Sequence, residues 1–228
     1  MSLFAISDLH LSLASNKSME IFPGWQNYVA RIQAGFASVV KEEDTVVLVG
    51  DSSWGMSLEE SLTDFRFIND LPGIKLLIKG NHDYWWSTKA KMERFFEQNG
   101  LNKLGILHNN SVLVDGIAVC GTRGWLYSPE DPEDIKVLAR EAGRLRASLQ
   151  SAQGQNAELI AFLHYPPVYG NEICQEMMDV LREYGVKKCF YGHIHGQSAG
   201  MAVKGRYLDM DFKLLSGDCV GFVPVKIS

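Results

Sequence analysis

Lys75-Leu76-Leu77-Ile78-Lys79-Gly80-Asn81-His82-Asp83 is the stretch whose reading decides the fold. Lys75 to Ile78 is a short apolar run that fits a buried strand, and it empties into a compact polar group followed by Tyr84-Trp85-Trp86. Open α/β sheets carry their chemistry at the carboxyl ends of strands. Asn81 offers an amide oxygen to a hard cation. His82 can move a proton or ligate a metal, and Asp83 can orient and polarise that imidazole. Taken alone, the tetrapeptide reads first as a Gly-Asn turn beside a satisfied surface histidine. The other strand exits weigh against that reading.

Upstream, Leu3 to Ser7 reads as a central strand that runs into Asp8-Leu9-His10. Residues i and i+2 share a face while the chain stays extended, so Asp8 and His10 can point to one place. Thr45 to Val49 is a β-branched strand that ends at Gly50-Asp51-Ser52-Ser53-Trp54. Between them, Trp25 to Val40 repeats apolar residues at Val29, Ile32, Phe36 and Val39, a helical period with those positions facing the core. Ser57-Leu58-Glu59-Glu60 reads as a capping box opening a helix with Leu58, Leu62, Phe65 and Ile68 on one side, stopped by Pro72-Gly73. The resulting βαβαβ order favours a parallel sheet.

Downstream, residues 87–99 read as a helix closed by Gly100. The pattern then shifts to short strands at Ile106-Leu107, 111–114 and 117–120, with Asp115-Gly116 as a hairpin turn, which points to an antiparallel or mixed portion. Ser128-Pro129-Glu130-Asp131 reads as a helix entry with proline first, the helix running to Gln150 and either shaping a pocket or forming an outer layer. Residues 159–163 form a strand that exits at His164-Tyr165-Pro166-Pro167. Residues 172–184 read as a helix closed by Gly185, and 188–191 as a strand ending at Gly192-His193-Ile194-His195. Short strands at 200–203, 206–209, 212–216 and 220–225 complete the chain. No linker or repeat interrupts it, so residues 1–228 read as one domain.

Composition bounds the partners. The formal charge of -5, from 27 acidic and 22 basic residues, disfavours nucleic acid as a ligand without excluding it, and is compatible with a small phosphorylated molecule. The four cysteines are far apart with no C-x-x-C pair, so neither a zinc knuckle nor a redox motif is indicated. The chain enters Leu3-Phe4-Ala5-Ile6 without a basic region or a long apolar segment, so the expectation is a cytoplasmic protein with no membrane span. The oligomeric state is open.

Five strand exits thus deliver Asp8/His10, Asp51, Asn81/His82, His164 and His193/His195, and of the six histidines only His108 lies elsewhere. Carboxylate, imidazole and amide oxygen together suit manganese, iron or zinc, and the donors outnumber one tetrahedral shell, which favours two ions. The motifs D-x-H, G-D, G-N-H-D, a lone histidine and G-H-x-H, in this order, make the sequence resemble the calcineurin-like metallophosphoesterases. The resemblance implies an α/β fold, a four-layer α-β-β-α sandwich with two mixed β-sheets. It implies that Asp8, His10 and His195 hold one metal ion, that Asn81, His164 and His193 hold the other, and that Asp51 bridges them. It further implies hydrolysis of a phosphoric mono- or diester by a hydroxide bridging the two ions, with His82 over the phosphate as hydrogen-bond donor and general acid, oriented by Asp83.

Arg123, between glycines, can grip a phosphate or simply pair with an acid. Trp54, Tyr84, Trp85, Trp125 and Tyr165 lie just past the site loops, where they can wall a substrate pocket or pack the loops down. No P-loop or G-x-S-x-G elbow is present. The competing readings are a nuclease or cyclic-nucleotide phosphodiesterase, which needs a positive groove or a base-sized pocket, and a non-enzymatic interaction module on the same scaffold, which is expected to have lost ligands or His82.

Overall fold

The computed structural model describes residues 1–15, 17–125 and 129–228. In chain order the elements are β1 (Leu3–Ile6), α1 (Tyr28–Val39), β2 (Thr45–Val49), α2 (Leu62–Asp70), β3 (Ile74–Ile78), α3 (Lys89–Gln98), β4 (Leu104–Ile106), β5 (Val112–Val114) and β6 (Ile117–Thr122). They continue with α4 (Pro132–Gln150), β7 (Glu158–Leu163), β8 (Val168–Tyr169), β9 (Glu172–Ile173), α5 (Gln175–Glu183), β10 (Lys188–Tyr191), β11 (Gly205–Tyr207), β12 (Met210–Leu214) and β13 (Val225–Lys226).

Two mixed sheets result. The first has the order β13-β1-β2-β3-β4, parallel except for β13. The second has the order β11-β12-β10-β7-β6-β5, with a parallel centre and antiparallel strands at both edges.

The alternation of side chains along the strands builds the layers. Leu3, Ala5, Val47, Val49, Leu76 and Ile78 of the first sheet meet Val119, Ile160, Phe162 and Leu215 in a core between the sheets. Their neighbours Phe4, Ile6, Val46, Leu48 and Leu77 face outward onto Ile32, Phe36, Phe65, Ile68 and Phe96 from α1, α2 and α3. In the second sheet Ala118, Cys120, Ala161, Leu163 and Cys189 face Leu138, Leu145, Met178 and Leu181 from α4 and α5. The order is therefore helix, sheet, sheet, helix. Strands apolar on both faces are what two covered sheets require. Among the described residues no helix is long and apolar enough to cross a membrane.

The structure revises several boundaries. Helix α1 starts at Tyr28, and Val39 is 39% exposed, so Tyr28 rather than Val39 faces inward beside Ile32 and Phe36. The Ser57 hydroxyl accepts from the Glu60 amide as expected, but the Glu60 carboxylate reaches the Met56 amide and the helix proper begins at Leu62. Asp131, not Ser128 or Pro129, caps α4, its carboxylate accepting from the Glu133 amide with Pro132 in the first turn; Ser128 lies outside the described residues. Residues 172–173 pair with 168–169 as a small ribbon, so α5 is shorter than its apolar period suggests. Leu208 and Asp209 both take positive φ and turn β11 into β12, where an unbroken strand was expected at 206–209. The Asp115-Gly116 hairpin forms as read, and Gly100 closes α3 with φ 70°.

Candidate dimetal centre

β1, β2, β3, β7 and β10 all end on the same side of the two sheets, and their exits bring Asp8, His10, Asp51, Asn81, His164, His193 and His195 into contact. Asp8, His10 and His195 converge with ligand atoms all within 4.8 Å of one another, and so do Asp8, Asp51 and His164. His195 Nε2 lies 3.1 Å from Asp8 Oδ1, and His10 Nε2 lies 3.7 Å from the same atom. On the other side, Asn81 Oδ1 sits 2.7 Å from His164 Nε2 and 2.9 Å from His193 Nδ1. Asp51 Oδ2 lies between the two groups, 3.7 Å from His10 Nε2 and 3.4 Å from His164 Nε2.

The backbone is strained to make this cluster. Asp8, His10, Asp51 and His193 all adopt positive φ, at 60°, 44°, 52° and 71°. Such angles cost free energy in non-glycine residues and gather where a site over-determines the chain. Two motif glycines have a steric reason. A Cβ on Gly80 would collide with the Asp51 carboxylate and amide, and one on Gly192 would collide with Ser7 Oγ and Asp8 Oδ2. These glycines let neighbouring strand exits close to the distance the donors need.

Partners behind the donors fix their ring orientation. His164 Nδ1 lies 2.9 Å from the Val49 carbonyl, so it donates there and Nε2 is turned to Asn81 and Asp51. His195 Nδ1 lies 2.9 Å from Asp218 Oδ1, while Asp218 Oδ2 accepts from the Gly196 amide. Asp218 was not singled out in the sequence. The strand-exit rule applied to 212–216 would have pointed to it, two residues past that strand.

Charge balance matches a cation site. Asp8 and Asp51 are buried, at 0% and 1% exposure, with no Lys or Arg against them among the described ion pairs. Burial disfavours the charged form of Asp8, yet His195, His164 and His10 outweigh it and hold its carboxyl well below the usual range. Burial likewise opposes a charged His164 and His195, but Asp51 and Asp8 push His164 up to about 9, and Asp8 with Asp218 pushes His195 up to about 10. Burial drives His10 and His193 down to about 4, with neighbouring imidazoles adding to it and the carboxylates opposing. Two protons thus sit where two carboxylates demand positive charge, surrounded by nitrogen and oxygen donors. That donor set fits borderline divalent metals in place of those protons.

His82 stands at the rim. Its amide donates to Asp51 Oδ1 at 2.7 Å, and its ring centroid lies 4.4 Å from Trp54 and 5.7 Å from His10. Trp54 in turn stacks on His10 at 5.0 Å and leaves its indole N–H without a partner. Tyr84 is exposed, with its hydroxyl 3.4 Å from His82 Nδ1. Burial lowers the His82 pKa, against the pull of Asp51.

Several expected roles need correction. Asp83 does not orient the His82 ring. Its carboxylate accepts from the amides of Asp51, Ser52 and Gly80 and from Trp85 Nε1 at 2.7–3.0 Å, which locks the exits of β2 and β3 together. Burial, with the charge of Asp51, pushes this carboxyl up to about 6. Trp85 is not a pocket residue: it is 2% exposed and packs edge-on against Phe65 in the outer core. Arg123 is taken by an acid, pairing with Glu141 at 3.2 Å, while Glu141 also accepts from Thr122 Oγ1 and Arg144. Trp125 bonds Asp134 Oδ1, lies 4.2 Å from the Arg123 guanidinium, and packs on Tyr165 at 5.3 Å between ring centroids. Tyr165 lies nearer, its ring 4.0 Å from that of His193 and 8% exposed. Trp25, read as the start of a helix, instead lies under the cluster, 5.7 Å from His10 and 5.5 Å from His195.

A family model described as calcineurin-like phosphoesterase matches residues 1–197. No curated protein matches the chain. Among solved structures, a protein of unknown function from Aquifex aeolicus superposes with a TM-score of 0.57 at 16% identity, covering 99% of this chain and 95% of its own. A phosphopantetheinyl hydrolase from Mycobacterium tuberculosis gives a TM-score of 0.57 at 14% identity, covering 94% and 88%. A Thermus thermophilus protein gives 0.56 at 13% identity, covering 85% and 81%. At such identities these likenesses establish the fold alone.

Proposed function

The chain belongs to the calcineurin-like phosphoesterase family, and from that premise we propose that it hydrolyses phosphoric esters of small molecules at a two-metal centre. The observation that carries the reading is the place of Asp51 Oδ2, facing His10 on one side at 3.7 Å and His164 on the other at 3.4 Å. A carboxylate so placed serves two ions. Asp8, His10 and His195 would hold one, and Asn81, His164 and His193 the other. Manganese, iron and zinc suit these donors. Two such ions neutralise a phosphoryl group and make a water acidic enough to act near neutral pH.

The residues of the chain supply the rest. His82 is the imidazole beside the cluster that is placed to donate to the leaving oxygen. Its ring is steadied by Trp54 and by the Tyr84 hydroxyl rather than by a carboxylate. Phosphoryl transfer depends on positioning and charge neutralisation more than on covalent catalysis, so this inventory suffices.

The test is metal reconstitution with manganese, iron or zinc, followed by a screen of phosphate mono-, di- and pyrophosphate esters. Stoichiometric loading with two ions and no turnover of any ester refutes the reading. In the same assay His82→Ala keeps both ions and loses about 10²–10⁴-fold in kcat on alkyl phosphates, with a smaller loss on aryl phosphates, whose leaving groups need little protonation. Loss of metal in that variant would make His82 a ligand; an unchanged kcat on alkyl esters would remove it from the mechanism.

A further inference from the structure

Trp25 and His195 both also line a cavity of about 490 Å³ that opens beside the cluster. Its other walls are Met19, Phe22, Pro23 and Gln197. The segment carrying the first three is a built wall. Met19–Ile21 is a single 3₁₀ turn whose N-terminus is capped by Ser18, the Phe22 amide donates to the Met19 carbonyl, and Arg31 clamps the Gly24 carbonyl at 2.7 Å. This wall presents an apolar side chain to solvent, Phe22 being 48% exposed. Among the described residues that line the cavity there is no Lys, Arg, Asp or Glu. The volume lies within the range of small-ligand pockets, roughly 300–1,000 Å³.

We propose that this cavity binds the organic group of the substrate, and that the substrate is a phosphate ester of an apolar alkyl or aryl alcohol. The argument is one of continuity and chemistry and rests on the function proposed above. His195 belongs to the cluster by its Nε2 atom, 3.1 Å from Asp8 Oδ1, and to the cavity by its surface. An ester whose phosphate lies on the donors therefore has this cavity next to it, across one shared side chain. Apart from the His195 imidazole, which Asp8 and Asp218 already pair, the lining offers no charged group to hold a second phosphate or a carboxylate, whereas each buried methylene gains about three- to fourfold in binding. The Gln197 side-chain amide is the polar group of the lining left to hydrogen-bond, the Gly196 amide being taken by Asp218, and the remainder selects for apolar surface.

Two measurements test the proposal. In the metal-free protein, the intrinsic tryptophan fluorescence is titrated with n-alkanols from butanol to octanol, which need no metal. Affinity is expected to rise about three- to fourfold per methylene over the first carbons. The rise is expected to flatten in Phe22→Asp, which puts a charge into the wall, and in Gln197→Trp, which fills the cavity. Both positions are exposed, so two variants that fold independently guard against one failing. In the metal-loaded enzyme, KM for n-alkyl phosphates is expected to fall over the same series with kcat constant, and to lose that dependence in both variants. A KM indifferent to chain length in an active enzyme overturns the cavity assignment and leaves the hydrolase intact. Alkanol binding that the variants abolish, with no ester hydrolysed, upholds an apolar site and overturns the hydrolase.

Discussion

Replacing Gly80 by alanine tests the geometry of the centre without removing a single donor. The backbone of Gly80 is outside the left-handed region, so alanine meets no conformational penalty of its own. The cost is steric. The new Cβ would stand 2.8 Å from Asp51 Cγ and closer still to Asp51 Oδ1 and the Asp51 amide, where ordinary contact begins at 3.4 Å. Asp51 or the β3 exit must therefore retreat by about 0.6 Å or more. Metal–ligand bonds tolerate roughly 0.2 Å. The shift thus takes Asp51 off at least one ion, and weakens loading of the second ion by about 100-fold or more. Overpacking of this kind costs about 1–3 kcal/mol, and Tm of the metal-free protein should fall by about 3–10 °C. Isothermal titration with manganese or zinc, scanning fluorimetry without metal, and kcat/KM at saturating metal read the three effects. Gly143→Ala, inside α4 with nothing within 4 Å of the new Cβ, is the control and should gain about 1 kcal/mol. Two ions bound at wild-type affinity in Gly80→Ala, with Tm unchanged, would refute the seating of Asp51 against Gly80.

Asp51→Asn should lose more kcat/KM than Asp8→Asn at saturating metal, because Asp51 faces both histidine groups; equal or reversed losses contradict a bridging place. Asp218→Ala frees the His195 ring and should cost about 10–100-fold in affinity for one ion while the other keeps its affinity; no change in titration would make Asp218 a bystander. Affinity for each ion should climb by up to about tenfold per pH unit from pH 7 to 9, less steeply toward pH 9 at His164, since each ion must displace a proton from His164 or His195, held at about 9 and about 10 in its absence. The sign is fixed: a proton bound more tightly competes harder, and competition fades as pH rises through those values. A flat profile would mean the imidazoles are already neutral. Arg123→Met should leave KM unchanged and lower Tm, because the guanidinium is spent on the buried carboxylate of Glu141; a raised KM at unchanged Tm would return it to the substrate.

The parallel βαβαβ start and the polar strand exits were legible in the sequence because both follow from local periodicity, while the four-layer arrangement came from the resemblance of the motifs to a family. Strand runs apolar on both faces require two covers, and polar residues at their carboxyl ends have only one edge of a sheet to occupy. Asp8, His10, Asp51, Asn81, His164, His193 and His195 could be named from strand exits, although residues 8 and 195 meet only in three dimensions. Side chains that a third partner decides were not legible. Asp83 looks like a ring-orienting carboxylate until the amides of Asp51, Ser52 and Gly80 are seen to consume it. Arg123 is open between a phosphate and an acid until Glu141, eighteen residues on, is brought against it. Trp25 carries no motif, because its place beside His10 and His195 exists only once remote segments pack, and Asp218 lies two residues past a strand exit whose partner His195 only the fold supplies. Periodicity is a property of neighbouring residues and survives in one dimension. Which hydrogen-bond donor satisfies which buried acceptor depends on distances between remote segments, and only the packed chain determines those distances.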